Sequence, residues 1–583
     1  MDKLIALLLA LALMAGAMTA AFAEQESDFG ENDYTSAYTL YLLDEKDPLE
    51  DSVNLYFFDG VEDLPWIELE ELGEMLTLLQ NEFNDQPNYK LTYEQEGSVI
   101  TLRRENSFYM EVNFNADTIT FNDYNGFLTD PTDKSLLDMM SFSGYNEKGE
   151  VELVQRDPLA SFDRYGDMMV LNLPDYNIQL RMADGCGFIP LQLASDFLFS
   201  QLFRAEMLFN GQAVYLAKWT SLEDLSTGEL TPLGKMYYDV EPTERSEALA
   251  DFGYSELCLV MDCLYGLKEQ HNIESFGRLF WQVGFDEPLS SLNPKDADTA
   301  LRNFINYYLD DIHSSFGTPS WMSGRDEDIE YGGNNGPSRV LSDNLENHCK
   351  DLRQKVMGDD IPGYQEIGNT AYITFDIFDS TYAGAYYEAF EAGKTVPDTI
   401  GLVINAHQQI FREDSPIEKV VIDLSCNTGG SSDAGIFMLA WIVGRAEVSV
   451  EDAFTGAQST MVSMADVNMD RKFDEKDTLA GKKVYVLTSG ASFSCGNLVP
   501  AVCKCLQAAT LIGRQTGGGA CAVQSMSTAW GTTFEISGTS RLSFRRNGSF
   551  YDIDEGVAPD IYIDDLATLY DREKLTELIN GLN

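Results

Sequence analysis

Two short apolar strands, each ending on a small polar turn, constrain this chain more than any other feature. Residues 484–521 read VYVLTSGASFSCGNLVPAVCKCLQAATLIGRQTGGGAC. Val484, Val486 and Leu487 make a strand that Thr488, Ser489 and Gly490 break. Residues 492–497 then form a strand-to-helix turn, and a helix is expected from 498 to about 507. A second strand at 510–513 leads into Thr516-Gly517-Gly518-Gly519. Upstream, residues 419–430 read KVVIDLSCNTGG: a buried strand (Val420, Val421, Ile422), a polar turn and a glycine pair. A serine on such a turn is exposed beside the N–H groups that open the helix, a suitable place for a nucleophile. The same place also suits an ordinary N-cap serine.

The charge balance narrows the function classes. Formal net charge is −56 and the pI is near 4.1, which disfavours nucleic acid and attachment to anionic lipid by charge. With 44% hydrophobic and 11% aromatic residues the chain builds a sizeable core and is no disordered acidic tail. Residues 1–23 read as a secretory signal: Lys3, an apolar run over 4–14, and Ala21-Phe22-Ala23 before Glu24. That run is too short to favour a permanent span, and no later stretch is long and apolar enough. The expected product is exported and soluble. The nine cysteines are odd in number, and Cys426, Cys495, Cys503, Cys505 and Cys521 fall in the core stretches. They read as buried thiols rather than a disulfide framework, with a Cys258–Cys263 bridge left open.

Together the two stretches resemble the S41 family of serine peptidases, which includes the C-terminal processing and tricorn-like peptidases. In that family an I-D-L-R-x-N-x-G-G strand-turn precedes S-A-A-E, a helix and G-E-x-T-x-G. The matching positions are Ile422-Asp423-Leu424, Asn427, Gly429-Gly430, Ser494, Gly513, Thr516 and Gly518. Serine-to-glycine spacing is kept without a gap if Ser494, not Ser492, is the nucleophile. The resemblance implies an α/β core of ClpP/crotonase-like type and hydrolysis of a protein or peptide substrate. It implies no cofactor for the chemistry. The lysine that processing peptidases use as base falls on Gly519, so another base is needed. The branch that includes the chlamydial protease-like activity factor takes histidine from a D-x-H segment. Here Asp311-Ile312-His313 resembles that segment, and His271, His348 and His407 have no such surroundings.

The acid that orients the histidine stands, in the family, shortly before G-V-x-P-D, which is Gly556-Val557-Ala558-Pro559-Asp560 here. The usual glutamate falls on Ile553, leaving Asp554, then Asp552, as candidates. The resemblance implies oxyanion donors from Cys495 and from Gly429 or Gly430. The expected organisation is a signal at 1–23, an α+β region at 24–235, a helical lead-in with His313 at 244–320 and a peptidase core at 365–570. The interval from His313 to the core strand near Ile367 is short for a PDZ module. Within 24–235, residues 56–79 and 182–202 echo each other as strand, turn, proline segment and helix. Substrate docking, cell-wall contact and shielding of the catalytic domain stay open as uses of that region.

Residues 464–478 form an acidic insertion. Asp466, Asn468, Asp470, the Lys472 carbonyl, Asp474 and Asp477 have the spacing of a calcium loop, with a structural Ca²⁺ as the expected ion. Arg471 replaces the usual glycine and Asp477 the usual glutamate. The resulting expectation is a secreted serine endopeptidase working through Ser494, His313 and an aspartate. The alternatives are an inactive binding protein on the same fold and a cell-wall or glycan-binding surface protein.

Overall fold

The computed structural model describes residues 29–42, 49–83, 89–104, 107–128, 146, 148–156, 161–224, 227–325 and 333–582. The expected signal at 1–23 and part of the 326–336 loop lie outside them. The chain divides into two compact units.

The first unit comprises the described residues within 1–130, 166–336 and 523–539. It is β-rich, with a seven-stranded and a five-stranded sheet. The strands Tyr34–Leu42 and Leu49–Phe57 pair antiparallel, and Thr39–Leu42 pairs parallel with 213–216. The two echoing segments meet in this sheet: Cys186–Pro190 runs antiparallel to Trp66–Glu68, with Ile189 opposite Ile67. Val99–Arg104 lies in the five-stranded sheet and Ala213–Ala217 in the seven-stranded one, so the two segments are completed differently. Three of the helices that follow are each started by a side chain that takes an orphan amide. Ser246 accepts from Leu249 N–H at the start of Glu247–Leu264, and Ser275 from Arg278 N–H at the start of Phe276–Val283. Asn293 accepts from Lys295 N–H ahead of Pro294–Phe304, where Pro294 fills the first turn. The last helix passes through a π-turn (Ile305–Leu309) and ends at Asp310, in the left-handed region at φ 47°.

The second unit comprises the described residues within 131–165, 337–522 and 540–583. Its centre is a six-stranded sheet. Thr370–Thr374, Lys419–Asp423, Lys483–Thr488, Thr510–Gly513 and Ile561–Tyr562 run parallel in that order, with Tyr364–Ile367 antiparallel at one edge. Alternate residues of one strand enter different cores. Val420, Ile422, Val484, Val486 and Leu511 pack with helices Thr399–Ile410, Ser432–Val443 and Cys495–Cys505. Val421, Tyr485, Leu487 and Ile512 pack on the other face with Cys349, Leu569, Tyr570, Leu575 and Ile579. A parallel sheet covered on both faces needs unbroken apolar strands, which is why these segments show no alternation. A second sheet pairs Ala446–Asp452 with Gln458–Ala465 and with 540–543.

Candidate active site

Ser494 sits where a strand of the central sheet gives way to a helix, at the carboxyl end of the parallel strands where open α/β sheets bind ligands. Its backbone stands at φ 55°, ψ −121°, well outside the common regions for a residue with a side chain. It precedes the helix Cys495–Cys505 but makes no side-chain cap bond, so it does not serve as an N-cap serine. Three neighbours hold the strained turn. Ser494 N–H donates to Gly518 O at 2.9 Å, Gly517 N–H to Ser492 O at 2.8 Å, and Phe493 N–H to Asn427 O at 3.1 Å. Ser492 is spent on structure: its Oγ donates to Leu424 O at 2.7 Å and accepts from Ser489 N–H at 3.0 Å.

The glycine turn presses against the serine. A Cβ on Gly429 (φ 104°) would lie 2.6 Å from Ser494 Cβ and 3.1 Å from its Oγ. Only glycine allows that approach. Gly429 N–H is bound to Asn427 Oδ1 at 3.0 Å. Gly430 pairs with Phe378 in a parallel bridge made through Gly429 O and Ser431 N–H. Gly430 N–H itself has no acceptor among the described residues, and neither has Cys495 N–H in the first helical turn. The Cys495 thiol donates to Gly430 O at 3.3 Å, and burial pushes its pKa up to about 12, so it does not compete as a nucleophile.

Asp423 and Asn427 shape this turn. Asp423 binds Arg572 at 2.7 Å, both side chains being buried, and accepts from Ser425 N–H and Oγ at 3.1 and 2.6 Å. Asn427 Nδ2 donates to Phe375 O at 3.3 Å. The TGGG segment is fixed from the C-terminal side. Thr516 Oγ1 donates to Asn497 Oδ1 at 2.7 Å and accepts from Val557 N–H at 2.7 Å. A Cβ on Gly518 would meet Asp554 O at 1.8 Å.

The remaining sequence candidates have other partners. Asp554 Oδ1 accepts from Ala520 N–H at 2.8 Å. Asp552 pairs with Arg541 and accepts from Asp554 N–H at 2.9 Å. His313 belongs to the first unit, Ser494, Asp552 and Asp554 to the second. The His313 segment is tightly tied: His313 N–H reaches Asp311 Oδ1 at 3.2 Å, Ser314 Oγ donates to Asp311 Oδ2 at 2.6 Å, and Asn334 Nδ2 donates to the carbonyls of Asp311 and Ser314 at 2.8 and 2.7 Å. Sequence reasoning missed Glu535, which stands opposite Ser315 and accepts its hydroxyl at 3.1 Å. No local motif marks it, because only strand register brings it there. His407 is a core residue: Trp441 Nε1 donates to its Nδ1 at 3.1 Å, and burial lowers its pKa to about 4.

The calcium-loop residues use their oxygens on their own loop and, at Asp466, on Tyr387. Asp466 Oδ1 accepts from Asp470 N–H, and its Oδ2 from Arg471 N–H and Tyr387 OH. Asp477 accepts from Val467, Asn468 and Asp474 N–H. Asn468 and Asp470 accept from Asp470 and Lys472 N–H, and Asp474 from Lys476 N–H. Among the described residues no group of three or more His, Cys, Asp or Glu side chains is placed to hold a metal. No described helix is long and apolar enough to cross a membrane.

A serine held off its helix cap is thus pressed against a double-glycine turn at the mouth of a parallel sheet. Residues 369–563 match the model of peptidase family S41. No curated protein matches the sequence. Among solved structures the chain is similar to a photosystem II D1 C-terminal processing protease at 19% identity, over 36% of this chain and 47% of that one, with a TM-score of 0.28. The chain thus spans about half the length of that protease. A Parabacteroides merdae protein matches at 14% identity over 58% of this chain and 98% of its own, with a TM-score of 0.41. Mature CPAF matches at 13% over 58% and 96%, with a TM-score of 0.35.

Proposed function

We propose that the protein is a secreted serine endopeptidase in which Ser494 attacks the scissile carbonyl and His313 takes the serine proton. The amides of Cys495 and Gly430 would hold the oxyanion. His313 would then return its proton to the leaving amine, and water would release the acyl group by the same route. Asp554, or Asp552, would orient His313. The observation that supports this best is Ser494: positive φ, no capping bond, and two amides beside it that lack acceptors. Serine without a base is a poor nucleophile, and the lysine position is Gly519, which supports histidine as the base. A cleft of about 380 Å³ lies against the segment paired to Gly430 and offers room for a substrate side chain; Phe375, Ile377, Val396 and Leu402 supply its apolar wall.

A fluorophosphonate tests the reading. Peptide mass spectrometry of the treated protein is expected to place the adduct on Ser494, and His313→Ala to abolish it in folded protein. Folded wild-type protein that takes no adduct at Ser494 would remove the catalytic reading and leave the binding-protein alternative.

A further inference from the structure

The glycine turn beside Ser494 is edged by an extended segment, residues 375–380. The two run side by side: Thr428 N–H donates to Asp376 O at 3.1 Å, Phe378 N–H to Gly429 O at 2.7 Å and Ser431 N–H to Phe378 O at 2.8 Å. The Ser380 and Ser431 hydroxyls close the run at 2.8 Å. Extended backbone sends successive side chains to opposite sides. Phe378 is 1% exposed and turns into the core, so Ile377, 58% exposed, and Asp379 turn outward. Thr399, the first residue of the helix Thr399–Ile410, ties this segment to that helix. Its Oγ1 accepts from Asp379 N–H at 3.0 Å and donates to Ile377 O at 2.9 Å. The cleft of about 380 Å³ lies between the segment and the start of the helix.

Asp376, Asp379 and Asp398 line this cleft, and they are not equivalent. Asp376 is taken by Arg353, which makes paired bonds to it at 2.7 and 2.5 Å. Asp398 caps the helix: its Oδ1 accepts from Gly401 N–H and its Oδ2 from Tyr386 OH, each at 2.8 Å. Asp379 gives only Oδ1 to a neighbour, accepting from Ser380 N–H at 2.8 Å, and its Oδ2 has no partner among the described residues. Neither Asp379 nor Asp398 enters an ion pair among the described residues, whereas Asp376 and Glu366 each hold an arginine. Burial raises the pKa of Asp398, and the Asp379 charge adds to it. The cleft thus joins an apolar wall, supplied by Phe375, Ile377, Val396 and Leu402, to two carboxylates without a cation. A neutral apolar side chain would fill the wall and leave both charges unpaired, and an acidic one would be repelled. A basic side chain satisfies both halves, with its methylenes on the wall and its cation at the carboxylates.

We propose that this cleft is a subsite for an arginine or lysine side chain of the substrate, with Asp379 as the residue that determines specificity and Asp398 adding to its charge. The inference rests on the reading of Ser494 as nucleophile: a peptide whose carbonyl sits at the Gly430 amide passes the segment paired to Gly430 and lays a side chain into the cleft. Asp379 touches that side chain and not the reacting atoms, so it selects the substrate without taking part in the chemistry. The 95 acids of the chain attract any cation weakly. What selects one side chain here is the wall that takes its stem.

The full chain is titrated at physiological salt with two fluorescent pentapeptides, Ala-Ala-Arg-Ala-Ala and the same peptide with citrulline, which keeps the shape of arginine and loses its charge. Fluorescence anisotropy is expected to show the arginine peptide bound roughly tenfold tighter or more, the worth of a charge-assisted bond. If the protein cleaves the peptides, the ratio of their kcat/KM values carries the same expectation. Asp379→Asn retains an oxygen for the Ser380 amide and is expected to bring the ratio near one. Glu573→Gln removes an exposed acid on the helix Arg572–Gly581 and is expected to leave the ratio unchanged. A wild-type ratio near one, or a ratio that Asp379→Asn leaves intact, overturns the proposal, and the wild-type ratio alone decides if that variant fails to fold. Arginine preference in a protein that takes no fluorophosphonate would keep the subsite and remove the peptidase. An adduct on Ser494 without that preference would do the reverse.

Discussion

At the scale of single residues, Asn497 shows how the serine turn is kept in a conformation that costs energy. Its Nδ2 donates to Ile553 O at 2.9 Å and its Oδ1 accepts the Thr516 hydroxyl at 2.7 Å, all with Asn497 fully buried. It thereby ties the helix after Ser494 to both C-terminal segments. Asn497→Ala removes one bond from the Ile553 carbonyl, which keeps Gly556 N–H, and one from the Thr516 hydroxyl, which keeps Val557 N–H, at about 0.5–1.5 kcal/mol each. We expect a lower urea midpoint with an unchanged slope, and a drop in turnover larger than the change in KM. Full activity in a folded variant would show that the turn holds without it. The strand-to-helix turn that carries Ser494 was legible from sequence, because the spacing from Ser494 to Gly513 and Thr516 reflects one helix and one strand of set length. Glu535 was not legible, since its position opposite Ser315 depends on pairing over a long sequence separation. The engaged N–H of Gly429 was equally hidden: sequence cannot tell which of two adjacent glycine amides a neighbouring asparagine will claim.

At the scale of elements, the core strands were read correctly because parallel strands buried on both faces are continuous apolar runs. The long strand Thr533–Arg546 was not foreseen: its residues up to 539 group with the first unit and the rest with the second. A strand that serves two units has no composition break to announce it. The 464–478 insertion shows the same limit in another form. Ligand spacing is a property of sequence, but the direction of each carboxylate is not. Calcium remains our proposal for this loop, and binding it requires Asp466 and Asp477 to leave the amides they now hold. Arg471 already stands at φ 60°, the conformation usually reserved for glycine there. If calcium binds, saturation at a hundred times Kd stabilises the fold by about 2.7 kcal/mol. The melting temperature then rises with calcium, falls with a chelator, and stops responding in Asp470→Ala. A melting temperature indifferent to millimolar calcium would leave the loop held by its own turns alone.

At the scale of the whole molecule, an acidic chain adds one more burden in the first unit. Asp196, Glu206 and Glu256 are buried together at 0%, 1% and 0% exposure. Gln192 Nε2 donates to Asp196 Oδ2 at 2.9 Å and Ser195 Oγ to Glu206 Oε2 at 3.0 Å. Both oxygens of Glu256, Asp196 Oδ1 and Glu206 Oε1 receive no such donor. No Lys or Arg is paired with the three among the described residues. Burial raises the pKa of all three; mutual repulsion raises Glu206 and Glu256 further. A carboxyl raised on folding binds its proton in the native state where the unfolded chain has lost it. Stability is therefore greatest below the ordinary carboxylate range and falls as pH rises toward the folded-state values, by at most about 1.4 kcal/mol per pH unit for each proton retained. General repulsion among the surface acids has the same sign, so the wild-type slope alone decides nothing. Glu256→Gln separates the two effects: it keeps the shape of a neutral side chain, leaves the surface untouched and removes one titrating group. We expect wild-type protein to lose more stability between pH 5 and pH 8 than Glu256→Gln does, measured by urea unfolding at both. Equal losses would assign the whole pH dependence to the surface and free the buried trio of any part in it.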